Sequence, residues 1–424
     1  MLDAESTPAV LASLPDDALL EAVQRQTFRF FWEGAHPVSG LALDRHTKQE
    51  SAGNDRATIG GTGFGIMSII VAAERRWVTR AAAVERLGRI LDFLAHTPRY
   101  HGAFPHFVNG RTGATISFSR KDDGGDLVET ALLFAGWLCA REYFNQPTPK
   151  EIALRDRVTA LWHEVEWNWY TRGGRAALYW HWSPKFHWAM NLEIRGWNEG
   201  LIAYILAASS PRHPIEAAAY HRGFAAGPNF RNGNSYLGIP LPLGPPYAGP
   251  LSFAQYSFMG LDPCGLADRY ADYWEQCQHH VRIVHAYCDA NPARHKGYSG
   301  SCWGITASDD PTGYLLHAPG PADDGTIAPT AAIASMPFAP RECLEAVRYF
   351  LRVHGGKLWG RFGFVDAFCD DQDWCAESFV AIDQGPIVVM IENYRSGLLW
   401  KLLTNQSEVR AGLATLGFTR KFDE

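Results

Sequence analysis

Four carboxylates crowd one short stretch, Asp122-Asp-Gly-Gly-Asp-Leu-Val-Glu-Thr, where a loop passes into the apolar run Ala131-Leu-Leu-Phe-Ala-Gly-Trp-Leu. Acids at a helix mouth suit acid/base chemistry, because burial and the positive helix terminus can set their proton affinities apart. Asp122, Asp126 and Glu129 would share a face if the helix began early. Gly124 and Gly125 favour a start near Asp126, which would make Asp126 and Glu129 a D-x-x-E capping box. Other acids repeat the construction. Glu199, in Gly196-Trp-Asn-Glu-Gly, precedes the wholly apolar Leu201–Ser209, and Trp197 beside it could help keep a general acid protonated. Asp383 opens another apolar run and reads as a site residue or an N-cap. Glu392 lies deeper in that run, where Arg395 or an inner hydrogen bond would hold it. Asp309 and Asp310 precede Pro311 in a turn that favours local bonding.

Aromatic side chains supply the second theme, with 15 tryptophans available for stacking on the apolar faces of sugar rings. Trp180, Trp182 and Trp188 cluster in one stretch, and His101 and His106 flank Phe104 as hydroxyl-binding groups. A cleft lined by aromatics and carboxylates, short of positive charge, fits a neutral polysaccharide better than a phosphorylated ligand. Other chemistries lack their signatures. Eight cysteines show no C-x-x-C spacing, and 16 histidines include no H-E-x-x-H, His181 and His187 being the nearest to a cluster, so no metal is expected. Gly61-Thr-Gly-Phe-Gly departs from G-x-G-x-x-G and no P-loop Lys-Ser/Thr follows it, and no G-x-S-x-G elbow exists.

These residues need a scaffold, and helical periodicity dominates the chain. It predicts helices over 19–32, 65–76, 81–94, 127–144, 151–170, 201–209, 267–290, 341–354 and 381–403. A Pro-rich stretch over 223–257 reads as a long functional loop. Helices apolar all round, each opened by a polar Gly-containing mouth, alternate with helices carrying one charged face, such as 81–94 and 341–354. Buried and amphipathic helices in alternation imply two concentric rings. The expected fold is therefore all-α, an (α/α)6 barrel with the polar mouths gathered round one cleft and aromatic-rich loops over that end.

Composition sets the outer bounds. The 46% hydrophobic content of 424 residues supports one large core, and a net charge of -6 offers no footprint for nucleic acid. No run approaches the roughly 20 apolar residues of a membrane span. A leader over 1–17, a single catalytic domain over 18–424 and a monomeric state are expected. Met1-Leu-Asp-Ala-Glu-Ser carries neither the basic nor the apolar region of a secretory signal, which fits a cytoplasmic protein or one whose signal was removed before numbering began.

With these motifs in place, the chain resembles the bacterial glycoamylase-like family, in particular glycoside hydrolase family 144, the endo-β-1,2-glucanases. The likeness rests on Gln24-Arg-Gln-Thr-Phe-Arg-Phe-Phe-Trp, Asp122-Asp-Gly-Gly-Asp-Leu-Val-Glu-Thr, Gly196-Trp-Asn-Glu, Ala207-Ala-Ser-Ser-Pro, Tyr256-Ser-Phe-Met-Gly-Leu-Asp-Pro, Cys302-Trp-Gly-Ile-Thr-Ala-Ser-Asp, Gly325-Thr-Ile-Ala-Pro-Thr-Ala and Ala381-Ile-Asp-Gln-Gly-Pro-Ile. The resemblance implies an (α/α)6 barrel, action on linear β-1,2-glucan, export and no cofactor. The acids in the matching motifs are Asp122, Asp126, Glu129, Glu199 and Asp383. Trp197, Tyr256 and Trp303 join Trp180, Trp182, Trp188, His101 and His106 as expected sugar-binding groups. Glu199 is expected to protonate the leaving glycosidic oxygen while Asp126, Glu129 or Asp383 activates water, with inversion. A transglycosylase, an exo-acting sophorose-releasing enzyme and a silent glycan-binding protein are the competing readings.

Overall fold

The computed structural model describes residues 7–48 and 53–420. Within them the chain is helix-rich, with β structure confined to two- and three-stranded pieces. The first residues of the expected leader, 1–6, lie outside the described part. From Pro8 onward that stretch belongs to the packed body: Leu11 and Ala12 are buried, and Arg348 donates to the carbonyls of Ala12 and Leu14.

Five apolar helices carry the core: Ile59–Glu74, Leu127–Tyr143, Leu201–Ser209, Pro329–Ile333 and Ala381–Ser396, each buried along most of its length. A short Ser252–Gln255 turn, continued by Ser257–Met259, completes the inner set. Neighbours meet pairwise. Ile59–Glu74 packs on both Leu127–Tyr143 and Ala381–Ser396, and Leu127–Tyr143 also packs on Leu201–Ser209. The remaining junctions are hydrogen-bonded. Ser257 Oγ lies 3.1 Å from Ile202 N, Gln255 Nε2 donates to Ala331 O at 2.9 Å, and Thr330 Oγ1 donates to Asp383 O at 2.6 Å. Amphipathic helices lie outside these, among them Asp16–Trp32, Arg80–Leu94, Pro149–His163, Tyr273–Ala290 and Pro340–Val353. No helix among the described residues is long and apolar enough to cross a membrane.

Several boundaries differ from the periodicity, each for a local reason. The first inner helix starts at Ile59 rather than at 65, so the glycine run is helical. Glycine's poor propensity argued for a later start, but packing overrides it: a Cβ on Gly63 would strike the Leu132 carbonyl, and one on Gly136 the Gly63 carbonyl. Two backbones therefore cross at close range. The helix expected over 267–290 begins at Tyr273, because Asp272 caps it by accepting from Glu275 N. The one expected over 151–170 ends at His163 and is followed by a separate 3-10 turn, Trp167–Thr171. Gly397, at φ 66°, divides the run expected over 381–403. The stretch over 223–257 is not a structureless loop. It carries a hairpin, Arg231–Tyr236 with Ile239–Leu243, turned through Leu237 and Gly238 at positive φ, as a two-residue hairpin turn requires.

Candidate active site

The inner helices open toward one end, and the predicted acids collect there in two groups with Glu199 between them. The first group stands on the Leu127–Tyr143 mouth. Asp126 is its N-cap: one carboxylate oxygen accepts from Val128 N and Glu129 N, both at 3.0 Å. Its other oxygen meets His106 Nδ1 at 3.1 Å. Glu129 does not close the expected capping box. Its Oε2 accepts instead from Gly60 N at 2.7 Å, tying two helix mouths together. Glycine at 60 lets the carboxylate reach this amide, since a Cβ would lie 2.7 Å from that oxygen and push the Glu129 side chain aside. Asp122 lies before the helix, not on its face, and its Oδ1 is 3.3 Å from His181 Nδ1. A two-stranded bridge, Asp126 opposite His181, sets this spacing through the backbone.

Charge within this group is closely balanced. Burial alone would lower His106, yet the carboxylates of Glu129, Asp126 and Asp122 outweigh it and push the imidazole up to about 9. His181 is likewise raised, Asp126 and Asp122 outweighing its burial. Burial would raise Asp126, but the two imidazoles and its backbone hydrogen bonds hold it below the usual carboxylate range. Glu129 is raised, chiefly by burial. Asp122, Asp126 and His181 offer ligand atoms close enough for a metal ion. His181 Nδ1 lies 3.3 Å from Asp122 and 3.7 Å from Asp126, within ion-pairing distance of both.

The second group was only half visible in the sequence. Asp383 is not an N-cap, since its helix starts at Ala381 behind Val380 and the acid sits within the first turn. Tyr256 OH donates to its Oδ1 at 3.3 Å and Tyr314 OH to its Oδ2 at 3.1 Å. Asp366, which the motifs did not reveal, is buried near the same carboxyl and raises its proton affinity. Asp366 Oδ2 accepts from Asp309 N at 2.7 Å. Asp309 is held in turn by Arg45, with both oxygens 3.1 Å from its guanidinium, and by Ser378. Burial, then the charge of Asp309, pushes Asp366 up to about 7, and burial with Asp366 drives Asp383 well above the carboxylate range. Asp310 bonds locally to Thr312 and Gly313, as its turn predicts.

Glu199 stands between the groups, in the turn before Leu201–Ser209. Its carbonyl accepts from Ser257 Oγ at 2.8 Å. Burial, reinforced by the charges of Glu129 and Asp126, pushes its carboxyl up to about 7. Tyr256 senses the charge of both Glu199 and Asp383 and so stands next to the acid and the second group.

The aromatic expectations divide. Trp180, Trp182, Trp188 and Tyr256 are half-buried at this end. His101 is stacked on Trp169 at 3.8 Å and paired with Glu166. Two expected stacking residues are corrected to core: Trp197 is 2% exposed against Phe258 and Tyr273, and Trp303 is fully buried beside His285. Neither can offer an open ring face. Glu392 pairs with Arg75 rather than Arg395, at 2.8 and 3.0 Å, at the opposite end of its helix from Asp383.

The Glycoamylase family model (“Putative glucoamylase”) matches residues 191–407. An exo β-1,2-glucooligosaccharide sophorohydrolase acting at the non-reducing end, from Parabacteroides distasonis, is 41% identical over 431 residues. That alignment takes in 97% of this chain, which spans 59% of the length of this curated relative. The crystal structure of an endo-β-1,2-glucanase from Chitinophaga pinensis, in complex with sophorotriose and glucose, superposes with a TM-score of 0.93 at 46% identity, covering 96% of this chain and 99% of that one. An endo-β-1,2-glucanase from Talaromyces funiculosus, 11% identical with a TM-score of 0.69 over 97% of this chain and 93% of its own, shares the fold. On the family match and these identities, the chain belongs to the Glycoamylase family.

Proposed function

We propose that this chain is a glycoside hydrolase that cleaves β-1,2-glucan to short oligosaccharides by general acid/base catalysis. The observation that carries this reading is Glu199, whose carboxyl is pushed up to about 7 between two groups of polar side chains. Glu199 gives its proton to the glycosidic oxygen as the anomeric C–O bond breaks. Water attacks from the other face and loses a proton to a carboxylate. Asp383 is the base we infer, acting in its ionised form although burial and Asp366 raise its proton affinity. Asp126 has one oxygen committed to two backbone amides and the other to His106, and Glu129 is tied to Gly60 N. Asp383 is instead held through its carboxyl only by side chains, the phenols of Tyr256 and Tyr314. On this reading acid and base act from opposite faces of the anomeric carbon with a water between them, which is the inverting route. The pairwise packing of six inner segments inside amphipathic helices supports an (α/α)6 barrel, which we read as one domain from Pro8 onward. We read the chain as a monomer.

Endo-action is our first reading, because the Chitinophaga pinensis relative shares 46% identity over nearly the whole of both chains. The sophorohydrolase relative, at 41%, favours exo-release as the second. Chromatography of products from linear β-1,2-glucan, beside β-1,3-glucan, starch and cellulose, tests both. A spread of oligosaccharides from β-1,2-glucan alone, lost by about 100-fold or more in Glu199→Gln, is expected. Sophorose as sole early product would replace endo with exo, and an unimpaired Glu199→Gln would discard Glu199 as the acid.

A further inference from the structure

The hairpin over 308–315 has two unlike strands. Ser308–Asp310 is buried throughout, whereas Gly313–Leu315 is exposed, Tyr314 by 39% and Leu315 and Leu316 by more. An apolar strand left in water gains little from burial, yet this one is held firmly in place. Asp310 Oδ1 accepts from Thr312 Oγ1 at 2.7 Å and from Gly313 N at 2.9 Å, which closes the turn. Asp309, directly opposite Tyr314 in the register, is gripped by Arg45 and Ser378. What the exposed strand delivers is one hydroxyl. Tyr314 OH stands 3.1 Å from Oδ2 of Asp383, a buried carboxyl on another element. Its other acceptor, the Ala307 carbonyl, is at 3.4 Å. A phenol has one hydrogen, and the nearer oxygen, which can carry charge, takes it.

We infer that Tyr314 is a positioning residue for water activation: its hairpin brings a phenolic O–H to Oδ2 of Asp383, fixing the orientation of that carboxylate and stabilising its negative charge. This rests on the proposal that Asp383 is the base. During turnover the proton leaving water passes to Asp383 and then to solvent, while Tyr314 keeps its own. Its phenol is driven well above the ordinary range by burial and then by Asp383.

The groups around Asp383 leave this task to phenols. Asp366 and Asp309 face it as acids and raise its proton affinity. Glu199, whose charge reaches Tyr256, adds a third acid. Arg45 is committed to Asp309 and Asp44. Thr330, on the Pro329–Ile333 helix, donates to the backbone carbonyl of Asp383 and not to its carboxyl. Tyr256 supplies the other phenol, at 3.3 Å from Oδ1, but its ring also packs against Phe64, so its removal would disturb the core. Tyr314, on the exposed strand, is the donor that can be removed alone.

The test is Tyr314→Phe in the full chain, which keeps the ring and deletes the donor. On linear β-1,2-glucan the folded variant should lose about 10-fold or more in kcat at little-changed KM. A carboxylate that has lost a donor holds a proton more tightly, so the acid limb of kcat/KM should move to higher pH while the alkaline limb set by Glu199 stays. A ring kept for packing alone would leave rate and limb as in wild type, and that result overturns the inference, as does a lower kcat with the acid limb unmoved. Infrared titration reads Asp383 without substrate. Carboxyl bands are followed against pH in wild type minus Asp383→Asn, and again with Tyr314→Phe in both members of the pair. A midpoint at higher pH in the Tyr314→Phe pair supports the inference, and equal midpoints overturn it. The infrared result stands whether or not the wild type cleaves any glucan, so a failure of the proposed activity is told apart from a failure of this contact.

Discussion

Single side chains at this site differ in function because their surroundings differ. Glu199 needs its proton to act, and burial pushes that proton's loss up to about 7. The kcat/KM for β-1,2-glucan should therefore fall as pH rises through about 7, and a profile flat to pH 9 or so would remove Glu199 from the acid's role. His106 makes a prediction of opposite kind, about stability. Its imidazole titrates near 6.5 when free and near 9 when folded, since Glu129, Asp126 and Asp122 outweigh its burial. The stabilisation is complete below about 6.5 and is lost as pH rises through about 9. His106→Gln should thus melt well below wild type at pH 6, with the gap closing above pH 9. A gap independent of pH would show that the imidazole only fills space. Glu199 and Asp383 were legible because a lone acid at an apolar helix mouth is conspicuous. Asp366 was hidden in Phe362-Gly-Phe-Val-Asp-Ala-Phe, where its signal was a single acid within an apolar run and its partner lay on another element. Trp197 and Trp303 misled for the converse reason: composition reveals a ring but not which way it faces.

Helices fix how closely those side chains approach, and glycine decides which helices can touch. The Ile59–Glu74 and Leu127–Tyr143 helices meet backbone to backbone at Gly63 and Gly136. Gly63→Ala should cost about 1–3 kcal/mol, because a Cβ has nowhere to go. Gly88, on the outer Arg80–Leu94 helix, has nothing within 4 Å of an added Cβ. Gly88→Ala should instead stabilise by about 0.5–1 kcal/mol through helix propensity. Denaturant unfolding of both variants checks the pair, and a Gly63→Ala protein as stable as wild type would refute the close-crossing argument. The long apolar and one-sided helices were readable, since the two kinds of run differ in every turn, whereas the hairpin over 231–243 and the Ser407–Thr415 helix were not. Element starts were not, because the glycines that weaken a helix locally are the residues that let it pack.

Across the whole molecule, ionic pairing lies at the end of the inner helices opposite the acids. Glu392, fully buried, receives the Arg75 guanidinium and Ser396, while Arg395 is turned to Glu21 and Gln24. Arg75→Ala would strand a buried charge and should cost about 3–5 kcal/mol, read as a lowered denaturation midpoint with the substrate KM unchanged. Should Arg75→Ala unfold at the wild-type midpoint, the pair would be ornamental to stability. One domain predicts that circular dichroism and tryptophan emission unfold together, and two separated transitions would divide it.

The division of tryptophans between core and cleft makes emission a two-channel signal. Trp137, Trp162, Trp167 and Trp303 are fully buried and out of reach of an aqueous quencher, whereas Trp180, Trp182 and Trp188 are partly open. Acrylamide should therefore quench only part of the emission, leaving a plateau. A bound oligosaccharide would shield part of the quenchable fraction and leave the plateau in place, so the protein carries its own occupancy gauge without a label.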